Sequence, residues 1–291
     1  MGRLPPRRAP RRSSPRSIPF LTLFPFRTPV RILYRDERLL AVDKPAGLLV
    51  HRSALDRGET RFALQQARAL AGRRLWPVHR LDKATSGVLL FALDAEAARC
   101  VGGQFERQAV DKRYLAVVRG WPRDEGVVDH ALADDEDPAG GGMARAACTR
   151  WRRLATVELP FAVDRYPSAR YALLALEPLT GRRHQLRRHM KHVAHPIVGD
   201  TTHGKGTHNR FFRERFGCAR LLLACVGLRL AHPDDGRVWT LSAPPADVFA
   251  TVAGALGWSA ALAWPPFGAA PGDPADGSSA GEPSAVGAAG V

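Results

Sequence analysis

The sequence predicts an α+β fold. Three observations carry that expectation: short apolar runs of strand length outnumber helical stretches, several of them follow one another across polar turns as hairpin partners do, and there is no regular alternation of strand and helix. The chain has 291 residues, enough for one large domain or two small ones, and its 45% hydrophobic and 24% charged residues are ordinary for a globular protein. No stretch approaches the roughly 18 to 20 uninterrupted apolar residues of a membrane-spanning helix, so no membrane is expected as a partner. Cys100, Cys148, Cys218 and Cys225 form no CxxC pair, which argues against a disulfide framework or a thiolate zinc module and points to a reducing cytoplasm.

The elements follow in order. Arg31–Tyr34 and Leu39–Asp43 read as short strands around a polar turn, and Lys44-Pro45-Ala46-Gly47 is a second turn. Thr60 to Ala71 reads as a helix and Gly87–Leu93 as a buried apolar strand. Asp94 to Gln108 is helical, with Asp94 as its N-cap. Along Val110–Val118 the alternate residues Val110, Lys112, Tyr114, Ala116 and Val118 share one strand face. Further strands are expected at Cys148–Val157, Arg170–Leu176, Leu221–Leu230 and Val238–Leu241. A helix is expected from Thr180, with Leu186, Met190 and Val193 as its buried stripe. We see no internal repeat.

Charge narrows the function. Lys and Arg number 43 against 28 Asp and Glu, a net of +15, which calls for an anionic partner, nucleic acid before a membrane surface. Residues 1–30 form an Arg- and Pro-rich arm that reads as disordered. A transit peptide, a phosphate-touching arm and an extension without a role are open to it, while a secretion signal is opposed by the short apolar run Ile18–Phe26, which contains Pro19 and Pro25. The Ala/Gly/Pro-rich tail, residues 258–291, reads as mostly disordered too. Setting aside eight arginines at the front, Arg3 to Arg31, and three acids at the end leaves +10 for residues 32 to 265, so the core is basic in its own right.

Three constellations carry chemistry. Val78-His79-Arg80-Leu81-Asp82-Lys83-Ala84-Thr85-Ser86-Gly87 flanks a carboxylate with two cations in a turn rich in hydroxyls. Asp82 would be kept ionised there, as a nucleophile requires; a structural salt bridge is the alternative. Lys112 and Tyr114 project to one strand face, where a tyrosine could stack on a base and move a proton, or could simply be a core aromatic. Residues 182 to 215 hold nine Lys or Arg against Asp200 and Glu214, a net of +7. With Thr180-Gly181 opening the helix and Arg183 and Arg187 four apart on one face, this reads as a docked helix with a cationic outer side, a surface for phosphates. His184, His189, His192, His195, His203 and His208 share the stretch. They show no HExxH and no carboxylate or thiolate in step, so RNA contacts or local hydrogen bonds are expected of them and no metal.

Together and in this order, the constellations resemble one family. His79-Arg80-Leu81-Asp82-x-x-Thr85-Ser86-Gly87 is similar to the catalytic motif of the RluA-type pseudouridine synthases, and Lys112-x-Tyr114-x-Ala116-x-Val118-x-Gly120 to their second motif. Thr180-Gly181-Arg182-x-His184-Gln185-Leu186-Arg187-x-His189, then His195-Pro196-Ile197-x-Gly199-Asp200, resembles their third. Lys44-Pro45-x-Gly47 resembles their opening hairpin. A finer likeness, in Gly199-Asp200-Thr201-Thr202-His203-Gly204, His208-Asn209-Arg210, Phe216-Gly217, Val50-His51-Arg52-Ser53 and Arg165-Tyr166-Pro167, is to the tRNA pseudouridine synthase C subfamily, in which His203 stands where most of the wider family has Tyr. One departure is Ala224, where the family often has His; it is expected to remove a polar group near the site rim.

The resemblance implies a pseudouridine synthase fold, a bent, mostly antiparallel mixed sheet flanked by helices, over residues 31–257. It also implies isomerisation of uridine to pseudouridine, at position 65 of tRNA, without cofactor or metal. Asp82 would be the nucleophile, attacking C1′ or C6; Arg187 would pair with it; Tyr114 would stack on the uracil and take the C5 proton. Arg80 would fill the gap left by the flipped base, with Lys112, Arg182, Arg183, His184 and Arg188 completing the RNA contacts. The same chemistry on ribosomal RNA and a non-catalytic RNA-binding factor on the same scaffold are the alternatives. A monomer is expected.

Overall fold

The computed structural model describes residues 29–52, 58–133, 143–263 and 267. All but the last two residues of the expected N-terminal arm, Ser53, and most of the expected C-terminal tail lie outside these.

The chain opens with β1 (Arg31–Arg35) and β2 (Leu39–Lys44), a hairpin whose turn is held by Asp36 accepting from the amides of Arg38 and Leu39. Helix α1 (Ala63–Ala71) begins three residues later than expected, because Phe62 is extended and bridges Leu49. The short β3 (Trp76–Pro77) pairs with β4 (Ser86–Ala92), an apolar strand buried along almost its whole length. Helix α2 (Ala95–Glu106) is capped as the sequence predicts: the Asp94 carboxylate accepts from the amides of Glu96 and Ala97 at 2.9 and 2.8 Å. Then come β5 (Asp111–Arg119), β6 (Glu125–Asp129), β7 (Cys148–Leu159) and β8 (Ala169–Pro178). Helices α3 (Gln185–His192) and α4 (Gly206–Phe216) precede β9 (Leu223–Ala231) and β10 (Val238–Ser242), and α5 (Asp247–Ala255) and α6 (Ser259–Leu262) close the described chain.

The strands form one sheet in the order β1-β2-β4-β9-β5-β8-β7-β6, with β3 on β4 and β10 on β9. Its pairings are antiparallel except β4 with β9. At that parallel contact Gly87 has φ +109°, and a Cβ there would lie 2.0 Å from the Cys225 carbonyl oxygen, so only glycine lets the two strands meet.

Three apolar clusters divide the sheet. One joins β2 and β4 to α1 and α2, through Ala63, Ala67, Ala97 and Val101. A second takes Leu115 and Val117 of β5 and packs them under α4 and α5, with Phe212 and Phe249 at its centre. The third takes the alternate residues Ala116 and Val118 and covers them with Leu186 and Met190 of α3. Tyr114 touches both the first cluster and the third, so it lies where the α2 side and the α3 side of one sheet face meet. The expected domain boundary at 257 falls inside this packing: Trp258 is buried in the second cluster and its indole donates to the Thr156 carbonyl.

The expected start of α3 is corrected. The helix begins at Gln185, not Thr180, because the Gln185 side chain folds back over the preceding loop: its Oε1 accepts from the Thr180 hydroxyl and the Arg182 amide, and its Nε2 donates to Cys148 O and the Thr149 hydroxyl. Arg183 therefore lies on a loop and does not stack on Arg187 along a helix face. Arg187 is not on an outer cationic side either, being only 6% exposed.

Candidate active site

Between α2 and the loop before α3, the face of β5 is left open as a cleft of about 370 Å³, within the range of small-ligand pockets. Its walls bring together Arg80, Asp82, Lys112, Tyr114, Arg182, Arg183, His184 and Arg187. These residues are far apart in sequence, and the sheet order explains the meeting: β4, β9 and β5 are neighbours, and α3 covers the next strip. Arg188 is not in the cleft; it points to the β6–β7 connection, where it donates to Ala133 O at 2.8 Å.

Asp82 sits in the loop between β3 and β4. His79 fixes that loop: its Nε2 accepts from the Leu90 amide at 2.9 Å and its ring stacks on Phe105 at 4.7 Å. Burial, with Lys112 nearby, pushes the His79 imidazole down to about 3, so it stays neutral and acts as a brace. Lys44 holds the other side of the loop. It is fully buried, and its ammonium donates to the carbonyls of Pro45, Leu48 and Lys83 at 3.0, 2.7 and 3.3 Å. Burial and Arg220 push Lys44 down to about 7. Sequence reading gave Lys44 a place in a turn but no partner; a lone lysine inside the apolar run 39–50 is the signal it offered.

Arg187 bridges two carboxylates. Its Nε and Nη2 donate to Oδ2 and Oδ1 of Asp200 at 2.7 and 2.8 Å, a two-bonded fork, while Nη1 reaches Oδ2 of Asp82 at only 3.4 Å. The tighter partner is thus Asp200, to which sequence reading gave no role although it is one of two acids in a block of net charge +7. Burial pushes the Asp200 carboxyl up, but Arg187 and the amides of His203 and Thr202 outweigh it and hold it below the usual carboxylate range. Arg187 is held above its ordinary range by the same contacts, against its burial. The arginine is therefore a permanent cation aimed at Asp82 from a fixed base.

His184 stands just ahead of α3 in the left-handed region, with φ +53°. That turn swings its ring into the cleft, with Nε2 3.9 Å from Asp82 Oδ2 and Nδ1 3.2 Å from His203 Nε2. Burial lowers its pKa, and the neighbouring arginines and His203 add to this against the pull of Asp82. The other histidines of the stretch make local contacts: His189 lies between the Thr149 hydroxyl and His130 O, His208 bonds the Tyr171 hydroxyl, and His195 donates to Arg119 O.

Tyr114 lies across from Cys225 on β9. Burial raises its phenol well above the ordinary range, and Cys225 and Asp82 push the same way, so it is a neutral phenol at physiological pH. The Cys225 thiol is itself pushed up to about 12, chiefly by burial. Ala224, expected at the site rim, points the other way: it is 1% exposed and packs in the cluster under α4 and α5. The strand alternation of β9 sends Cys225 toward the cleft and Ala224 away from it.

The comparisons with known proteins agree with this geometry. Residues 38–192 match the model of the RNA pseudouridylate synthase family. The chain belongs to that family and is a pseudouridine synthase, an isomerase. Among curated proteins it is similar to tRNA pseudouridine synthase C of Yersinia pestis, 46% identical over 79% of this chain and 92% of that one. It is also similar to the protein of the same name from Vibrio vulnificus, 50% identical over 70% and 86%. Among solved structures it resembles human RNA pseudouridylate synthase domain containing 4, with a TM-score of 0.60 and 26% identity over 78% of this chain and 92% of that one. The fold matches the mixed sheet flanked by helices expected from the sequence.

Proposed function

We propose that the protein isomerises a specific uridine of tRNA to pseudouridine, with Asp82 as nucleophile. The likeness to the synthase C proteins supports tRNA over ribosomal RNA, and position 65 is the target that the subfamily motifs imply. The observation that carries the reading is the cleft itself, where a carboxylate, a buried cation bridging to a second carboxylate and a tyrosine face one another. Asp82 attacks C1′ of the ribose or C6 of the uracil and the N1–C1′ bond breaks. The base turns in place, C5–C1′ forms, the bond from Asp82 to C1′ or C6 breaks and returns the carboxylate, the C5 proton leaves and a proton is returned to N1, so no oxidant or co-reactant is needed.

Arg187 faces Asp82 with its guanidinium as a counter-charge and keeps the carboxylate aimed. Tyr114 stacks on the uracil; being a neutral phenol, it can accept the C5 proton only if its own proton moves on in the same step. Exposed Arg80 takes the place of the flipped base, while Lys112, Arg182, Arg183 and His184 line the path of the strand; Arg188 steadies the wall behind them. The catalytic unit opens at residue 31 and, with Trp258 packed into its core, runs past 257; it acts in the cytoplasm and as a monomer. Four free thiols and exposed apolar side chains scattered over α1, β6 and β10 support that reading. Tritium release from C5-labelled tRNA and from ribosomal RNA tests the substrate: release from tRNA is expected, and release from ribosomal RNA alone would overturn it.

A further inference from the structure

We propose that His203 is a positioning residue of the cleft: through its hydrogen bond to His184 it decides which nitrogen of that ring carries the proton, and so presents an N–H to Asp82. The proposal rests on Asp82 being the nucleophile. Only one proton fits between His184 Nδ1 and His203 Nε2, which are 3.2 Å apart with the rings inclined at 72°. If His203 carries it, Nδ1 of His184 is an acceptor, and the neutral ring must have its hydrogen on Nε2, 3.9 Å from Asp82 Oδ2. If His184 carries it, the ring turns a lone pair on the carboxylate, which repels it. Asp82 therefore selects the first arrangement, and His203 supplies it.

His203 is itself fixed by the acid that grips Arg187. Its amide donates to Asp200 Oδ1 at 2.9 Å, the oxygen that also accepts from Arg187 Nη2. One buried carboxylate thus fixes two groups that face the candidate nucleophile, Arg187 directly at 3.4 Å and His184, by way of His203, at 3.9 Å. The charged groups that face His184 are Asp82 from the loop before β4, Arg187 from α3, Arg183 from its own loop and the ring of His203. Burial and the two arginines hold His184 neutral near pH 7, where it can serve as the donor. On acidification it becomes an imidazolium paired to Asp82, which withdraws charge from the nucleophile.

The test is kcat and KM for tritium release from tRNA between pH 5 and 9, for wild type, H203F and H203Q. H203F should lower kcat about tenfold with KM nearly unchanged, the size of one lost hydrogen bond. Its acid limb should move to higher pH, because His203 contributes to holding His184 down. H203Q, whose amide can donate from the same place, should recover most of the loss. An active wild type whose H203F matches it in rate and pH profile, or an H203Q as slow as H203F, overturns this proposal alone. A wild type that releases no tritium from any RNA overturns the reading of Asp82 and this with it. Nitrogen-15 spectra of the histidine-labelled full chain, with His184 assigned from H184N, decide the case even if H203F does not fold. A protonated Nε2 on His184 at pH 8 is expected, and a bare Nε2 refutes the proposal.

Discussion

Asp200→Asn probes the base on which the cleft is built. The Asp200 side chain is 1% exposed and accepts four hydrogen bonds: Oδ1 takes Arg187 Nη2 and the amides of Thr202 and His203, and Oδ2 takes Arg187 Nε. An asparagine fits the space, and its oxygen must go to the Oδ1 side, where three donors point. Its NH₂ then meets the Nε–H of Arg187, so one charge-assisted bond becomes a clash of donors and a buried guanidinium loses its closest counter-charge. Breaking a buried pair in this way costs about 3 kcal/mol. Arg187 is left with Asp82 as the carboxylate within reach among the described residues. It should swing toward it and pull the nucleophile off line, lowering kcat by about tenfold or more.

Urea unfolding and single-turnover tritium release read the two effects. The pH dependence has a definite sign. The folded Asp200 pKa lies below its unfolded value, so the carboxylate's contribution is present above about pH 4 and is lost as pH falls through the lowered folded value. The stability gap between wild type and D200N should therefore shrink in acid. A variant within about 0.5 kcal/mol of wild type and within about twofold in kcat would refute the reasoning.

Other substitutions test separate parts. Lys44→Met leaves three carbonyls without their donor and should cost about 2 kcal/mol at pH 7 by urea unfolding. Because the folded lysine gives up its proton near 7 and the unfolded one near 10.5, wild-type stability should gain on K44M as pH rises between those values, and a constant gap would contradict the burial argument. Tyr114→Phe keeps the ring and should leave KM nearly unchanged while lowering kcat about a hundredfold; full activity would remove the phenol from the proton path. Arg80→Ala should raise KM about tenfold and reduce the salt dependence of RNA affinity by about one phosphate contact, and an unchanged slope would place Arg80 away from the backbone.

Much of this molecule can be read from its sequence, for identifiable reasons. Strands β2, β4, β5 and β9 are apolar runs bounded by turns, and Asp94 before an amphipathic stretch marks the start of α2 within a residue. Asp82 is visible as a carboxylate between two cations in a hydroxyl-rich turn, whereas Tyr114, readable alone as a core aromatic, and Arg187, one cation of a basic block, stand out only through the motifs they share with the family. The misses share a cause, since each depends on a contact distant in sequence. Gln185 reaching across to Cys148 and Thr149 shortens α3, and the pairing of Phe62 with Leu49 shortens α1. Helix α4 carries a basic surface that reads as part of a charge block, and its buried residues His208 and Phe212 show only against Tyr171. The preference of Arg187 for Asp200 over Asp82 is likewise a matter of distance, 2.7 against 3.4 Å, which spacing along the chain does not report.

The most direct test of the whole reading is Asp82→Ala, assayed for tritium release from C5-labelled tRNA alongside RNA affinity by filter binding. Release should disappear while affinity stays within about threefold of wild type, since the phosphate contacts come from other residues. Release that persists without the carboxylate would contradict it.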